Sequence, residues 1–162
     1  MHHRKLIVRG ISLLGTAVLF ACGPSEIKLD ALGVSVTAPG GWSVEMARDS
    51  SIGAGGAELK KGKKTYGFLD PNVVIPLGAD DKAWPKSGSH TLEQLKAALA
   101  PFSPTDPQSF ANGFGVRYEK DGKPKFLYVI TVGDKEYSCS ANDWIPAEDV
   151  PAAISICTSV RA

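Results

Sequence analysis

The chain has 162 residues, 43% hydrophobic and 22% charged, with a formal net charge of +1. That length can bury the core of one domain, and the balanced charge excludes the global attraction that draws strongly basic chains to nucleic acid. Three cysteines (Cys22, Cys139 and Cys157) and three histidines leave little material for a zinc site of the usual composition.

The opening "MHHRKLIVR" carries Arg4, Lys5 and Arg9 and no acid, and Gly10 to Ala21 is uncharged and mostly apolar. A positive start, a short greasy run and small residues at its end describe a secretory signal. The run falls short of the roughly 20 residues that span a bilayer. Its last residues, Leu19, Phe20, Ala21 and Cys22, resemble the bacterial lipoprotein box, in which cleavage precedes a cysteine that already carries lipid. The resemblance implies a lipoprotein signal peptide over 1–21, lipidation of Cys22 with palmitate among its acyl chains, a tether over 22–26 and one domain over 27–162. Gly23 after the cysteine resembles proteins sorted to the outer membrane and facing the periplasm, which places the chain in the cell envelope. Ordinary cleavage after Gly23 is the alternative.

Losing the signal removes three of the 18 basic residues, so 15 remain against 17 acidic, and no nucleic-acid partner is expected. With Cys22 assigned to lipid, an even pair remains in an oxidising compartment, which predicts a Cys139–Cys157 disulfide.

After the tether, "IKL" and "VSV" alternate apolar and polar residues as half-buried strands do, and "GGWSVEM" continues the pattern beyond a Pro39-Gly40-Gly41 turn. Gly53, Gly55 and Gly56 pose the phosphate-loop question, but the required Lys-Ser/Thr after the last glycine is missing, so the stretch reads as a flexible turn. "AELKK" and "KTYGFL" form a hairpin about Gly62. Its lysines Lys60, Lys61, Lys63 and Lys64 either meet an anionic surface or keep a strand edge from pairing. "NVVIPLG" is a brief apolar segment, and "ADDKAWPKSGS" a loop in which Trp84 is the expected exposed contact. Trp42 and Trp144 are expected in the core.

"TLEQLKAALAPF" is the clearest helix, with a Thr91–Gln94 capping box, an apolar stripe of Leu92, Leu95, Leu99 and Phe102, and a stop at Pro101. "FSPTDPQ" reads as a rigid connection. Three strands then meander through turns at Asp121-Gly122 and Gly133-Asp134. Phe114, Val116 and Tyr118 fall on one face of their strand, as do Tyr137, Cys139 and Ala141 of theirs. A final helix starts near Pro151, with Asp149 as its cap and Val150, Ile154 and Cys157 on its buried side. The disulfide would staple that helix to the strand before it.

Chemistry-bearing residues are sparse. His90 reads as a solvated loop histidine beside the helix cap, and Asp80 and Asp81 lack the ligand spacing of a calcium loop. Glu148 and Asp149 suit a helix N-terminus. No Gly-x-Ser-x-Gly elbow occurs. No catalytic residue, no metal and no cofactor are expected.

The order of these elements, with Pro39-Gly40-Gly41-Trp42 closing the early strands and "SICTSVRA" closing the last helix, resembles the PsbP-like fold. That group includes an extrinsic subunit of photosystem II, import factors that bind the Ran GTPase, and many bacterial lipoproteins. The resemblance implies an α+β class, an antiparallel β-sheet flanked by helices in an α/β/α sandwich, and binding or assembly rather than shared chemistry. The expected function is a membrane-anchored envelope lipoprotein acting as a non-enzymatic binding or assembly module. Its partners would be the membrane, through the anchor, and an envelope protein or component. A small hydrolase with an unmarked active site is the alternative.

Overall fold

The structure, a computed structural model, describes residues 23–48, 55–86 and 88–162. The expected signal segment and Cys22 lie outside these residues, as does the glycine-rich turn up to position 54. Two antiparallel strands, β1 (Ser25–Leu29) and β2 (Val34–Ala38), form a separate hairpin. The main sheet has seven strands, all antiparallel: β3 (Trp42–Met46), β4 (Ala57–Lys61), β5 (Lys64–Asp70), β6 (Thr105–Phe110), β7 (Gly113–Lys120), β8 (Lys123–Val132) and β9 (Lys135–Ala141). Their spatial order is β3-β4-β5-β9-β8-β7-β6. Two short helices complete the fold, α1 (Leu92–Ala98) and α2 (Val150–Thr158).

Strand β8 divides the core. Along a strand, successive side chains point to opposite faces. Phe126, Tyr128 and Ile130 therefore join α2 and the β1–β2 hairpin in one cluster. Leu127 and Val129 join Leu95 and Leu99 in a second cluster across the sheet. The two helices thus cover opposite faces, and a mixed α+β architecture dominated by antiparallel sheet is observed. The stripe read from sequence holds: Leu95 and Leu99 are fully buried, with Leu92 and Phe102 packed around them. Both halves of the Thr91–Gln94 capping box are formed.

The disulfide joins Cys139, in the middle of β9, to Cys157 of α2, with an S–S distance of 2.06 Å. Both cysteines are fully buried, so the bridge ties the helix to the sheet from inside the larger cluster. The turns follow their residues too. Asp121 and Gly122 both have positive φ, at 54° and 70°, the pattern of a type I′ turn. Gly115 answers a packing demand, since a methyl group there would overlap the ring of Tyr128 on the neighbouring strand.

Three expectations are corrected. "TDPQ" belongs to an edge strand, β6, rather than to a connection; the outer position tolerates the missing N–H of Pro107, and the pairing shifts register between Thr105 and Gln108. The first strand begins at Ser25 rather than at Ile27, because backbone pairing with Ala38 draws exposed Ser25 and Glu26, expected in a tether, into β1. Asp149 does not cap α2: a 3₁₀ turn over Ala147–Asp149 leads directly into the helix and leaves Asp149 in a helical conformation. Its carboxylate instead accepts from Lys61 Nζ at 2.7 Å.

Candidate functional site

The chain between β5 and α1 crosses the α1-bearing face of the sheet and returns to β9. Its return is fixed by His90, which is not a solvated loop residue: its side chain is 9% exposed. Nδ1 lies 2.5 Å from Glu136 Oε2, Nε2 lies 3.0 Å from the carbonyl of Pro85, and the His90 backbone N–H donates to Glu136 Oε1 at 3.0 Å. A carboxylate and a carbonyl only accept, so both ring nitrogens of His90 face acceptor oxygens. The imidazole also stacks on Trp84, with centroids 4.1 Å apart and planes 11° from parallel. Trp84 is therefore buried, against the expectation of an exposed contact.

Beside this pair opens a cleft of about 530 Å³ lined by Asn72, Val74, Ile75, Trp84, Lys86 and Glu136. Its lining is mainly apolar and includes the acidic groups Asp81 and Glu136 and the basic groups Lys86 and His90. Neither ring nitrogen of His90 is free to take a proton from a substrate in this arrangement, so the dyad acts as a clasp for the loop. On the same loop, Val74 and Leu77 are 63% and 90% exposed. Asp80 is exposed, and its carboxylate accepts from the Lys82 backbone N–H at 3.0 Å. Among the described residues, no three His, Cys, Asp or Glu side chains gather as a metal-holding group.

A second region is the end of the sheet where β5 and β8 begin. Lys60 pairs with Glu45 at 2.9 Å, and that hydrogen bond holds the Glu45 carboxyl below its usual range. Lys61 pairs with Asp149, which raises the Lys61 ammonium above its ordinary value. Lys63 and Lys64 are exposed and form no ion pair among the described residues. Lys125, although in β8, is buried; its Nζ donates to the Asn142 carbonyl at 2.7 Å and pairs with Asp143 at 2.5 Å. The hydrogen bond from Lys125 is the main cause of a lowered Asp143 pKa.

The tryptophans exchange the places expected of them. Trp144 is 75% exposed rather than core, and Lys123 Nζ stands 4.8 Å from the centre of its ring. Trp42 is buried as expected and leans on Tyr66. Sequence reasoning also missed Glu136 and Lys123. Glu136 sits 46 positions from His90, and no local spacing links the two. Lys123 is one of many charged turn residues until its aromatic neighbour is known. Comparison with family models, with curated proteins and with solved structures finds no match.

Proposed function

We propose that this protein is a lipid-anchored envelope lipoprotein whose domain, a PsbP-like α/β/α sandwich, serves as a non-enzymatic binding or assembly module. The anchor rests on the "LFACG" sequence at residues 19–23. Helices on opposite faces of an antiparallel sheet are compatible with the PsbP-like arrangement. One observation carries binding over catalysis: Val74 and Leu77 present large apolar side chains to solvent, on a loop that the His90–Glu136 clasp holds in place. Ordered apolar side chains on a preformed loop suit a partner surface, because their fixation costs little on association. The hydrolase alternative rests on the same His90–Glu136 pair, and it needs the ring to release the Pro85 carbonyl before it can act as a base.

Two measurements test the proposal. Growth with a palmitate analogue should label the protein and leave Cys22→Ser unlabelled; an unlabelled parent protein rules out the anchor. A photo-crosslinking residue at position 77 should trap one discrete envelope protein in intact cells, and Val74→Ser should weaken the adduct. Absence of any adduct at position 77 removes this loop as the partner surface.

A further inference from the structure

The register of the sheet brings distant parts of the chain to one end of the molecule. Lys61 and Lys64 face each other across the β4–β5 hairpin tip. Lys120 and Lys123 do the same at the β7–β8 tip. β5, β9 and β8 are consecutive neighbours and run antiparallel, so β5 and β8 start on the same side, with the end of β9 between them. The two tips therefore project from the same edge, their centres roughly 14 Å apart at about 4.8 Å per strand. The chain after β9 fills the space between them. The Asn142 backbone N–H donates to the Tyr66 carbonyl at 3.0 Å and its side-chain amide to that of Thr65, and Trp144 follows two residues later beneath Lys123.

The start of the domain arrives at this same end. Ser25, the first residue of β1, pairs with Ala38. The turn that follows closes with the Trp42 backbone N–H donating to the Pro39 carbonyl at 3.0 Å, and Trp42 pairs with Lys61. β1 runs away from that turn, so residues preceding Ser25 leave the domain on the lysine-bearing side. Cys22 is three residues earlier, a reach of about 10 Å for extended chain.

We infer that this end of the sheet, presenting Lys63, Lys64, Lys123 and Trp144, is a membrane-contacting surface that docks on the headgroups of an anionic bilayer beside the lipid anchor. The inference rests on the lipidation of Cys22 for its orientation. A tether this short gives the domain little freedom to turn its lysine end away. Tryptophan favours the boundary between headgroups and hydrocarbon, where its ring is half in apolar surroundings, and lysine ammonium groups meet anionic headgroups. Asp143 and Asp149 on this end are already paired with Lys125 and Lys61. Glu119, Asp121 and Glu148 form no ion pair among the described residues and oppose the attraction in part. The contact therefore depends on Trp144 and the projecting tips together, not on a large excess of charge.

The test uses the lipidated protein on vesicles of equimolar phosphatidylcholine and phosphatidylglycerol that contain headgroup spin-labelled lipid. Trp42 and Trp84 are buried, so quenching reports Trp144, and Trp144→Phe gives the background. The expected result is strong quenching of Trp144 and protection from aqueous iodide. The triple variant Lys63→Gln/Lys64→Gln/Lys123→Gln, which breaks no ion pair named above, should lower the ratio of docked to undocked protein about a hundredfold, at about fivefold per lysine. The variant should still co-sediment with the vesicles through its acyl chains. Trp144 open to iodide on a protein that does sediment overturns the inference and points this end towards an acidic protein partner. Quenching that is insensitive to the three lysines overturns the anionic-headgroup contact. A parent protein that does not sediment on phosphatidylcholine alone refutes the lipid anchor itself, a distinct failure.

Discussion

Tyr118 and Tyr128 show how burial acts on single groups in this fold. Both are buried, on opposite faces of the sheet, and removal from water pushes each phenol up to about 12 from its ordinary 10. The phenolate is the charged form, so the folded chain holds these protons more tightly than the unfolded chain does. Their contribution to stability is therefore fully present below pH 10 and is lost as pH rises through about 12. Ultraviolet titration should show both ionising near pH 12 or at unfolding, and Tyr118→Phe/Tyr128→Phe should soften the alkaline loss of stability. Equal loss in parent and variant would count against this cause. At this scale the sequence was least informative about exposure. Trp84 and Trp144 each lie next to turn residues, yet one stacks on a histidine and the other stands in solvent. Nothing within a few residues of either distinguishes them.

Among the elements, the loop between β5 and α1 is tied to the sheet at both ends, by Ser138 at Asn72 and by Glu136 at His90. Glu136, near the start of β9, receives both the backbone N–H and the ring of His90. Glu136→Ala leaves a mostly buried ring nitrogen and a backbone N–H without their acceptor, at a cost of about 1–3 kcal/mol. Hydrogen exchange in residues 71–90 should accelerate strongly, with β7 and β8 little changed; unaltered exchange in the loop would show that the clasp does not hold it. The meander and α1 were legible because local chemistry fixes them: Asp121-Gly122 supplies left-handed φ values, and Thr91 with Gln94 closes the helix N-terminus. Strand β6 was not legible. Its Pro107 argues against a strand unless the strand is known to lie at an edge, which depends on the order of the whole sheet.

For the whole molecule, the Cys139–Cys157 bridge closes an 18-residue separation and joins the sheet to the helix that covers one face. Constraining the unfolded chain in this way contributes about 3 kcal/mol. Replacing both cysteines with alanine should lower the melting temperature by about 10 °C without abolishing the fold, because α2 retains Val150, Ile154 and Ile156 in the large cluster. A melting temperature unchanged under oxidising conditions would refute that contribution. Placement of the tips matters at the same scale. The Lys61–Lys64 and Lys120–Lys123 pairs lie at one end of the sheet because its strands are antiparallel throughout and β5 and β8 are two places apart.

By itself, the sequence determined what is encoded within a turn or a strand. The hairpin turns, the capped helix and the alternating faces of the meander follow from backbone preference and hydrophobic period over a few residues. Only the tertiary structure decided which residues meet across long separations: His90 with Glu136, Lys61 with Asp149, and Trp144 with Lys123. It also decided that the chain begins its fold beside its lysine-bearing tips. The physical reason is that such meetings depend on strand order and register, which emerge from burying both faces of the sheet at once rather than from any local preference.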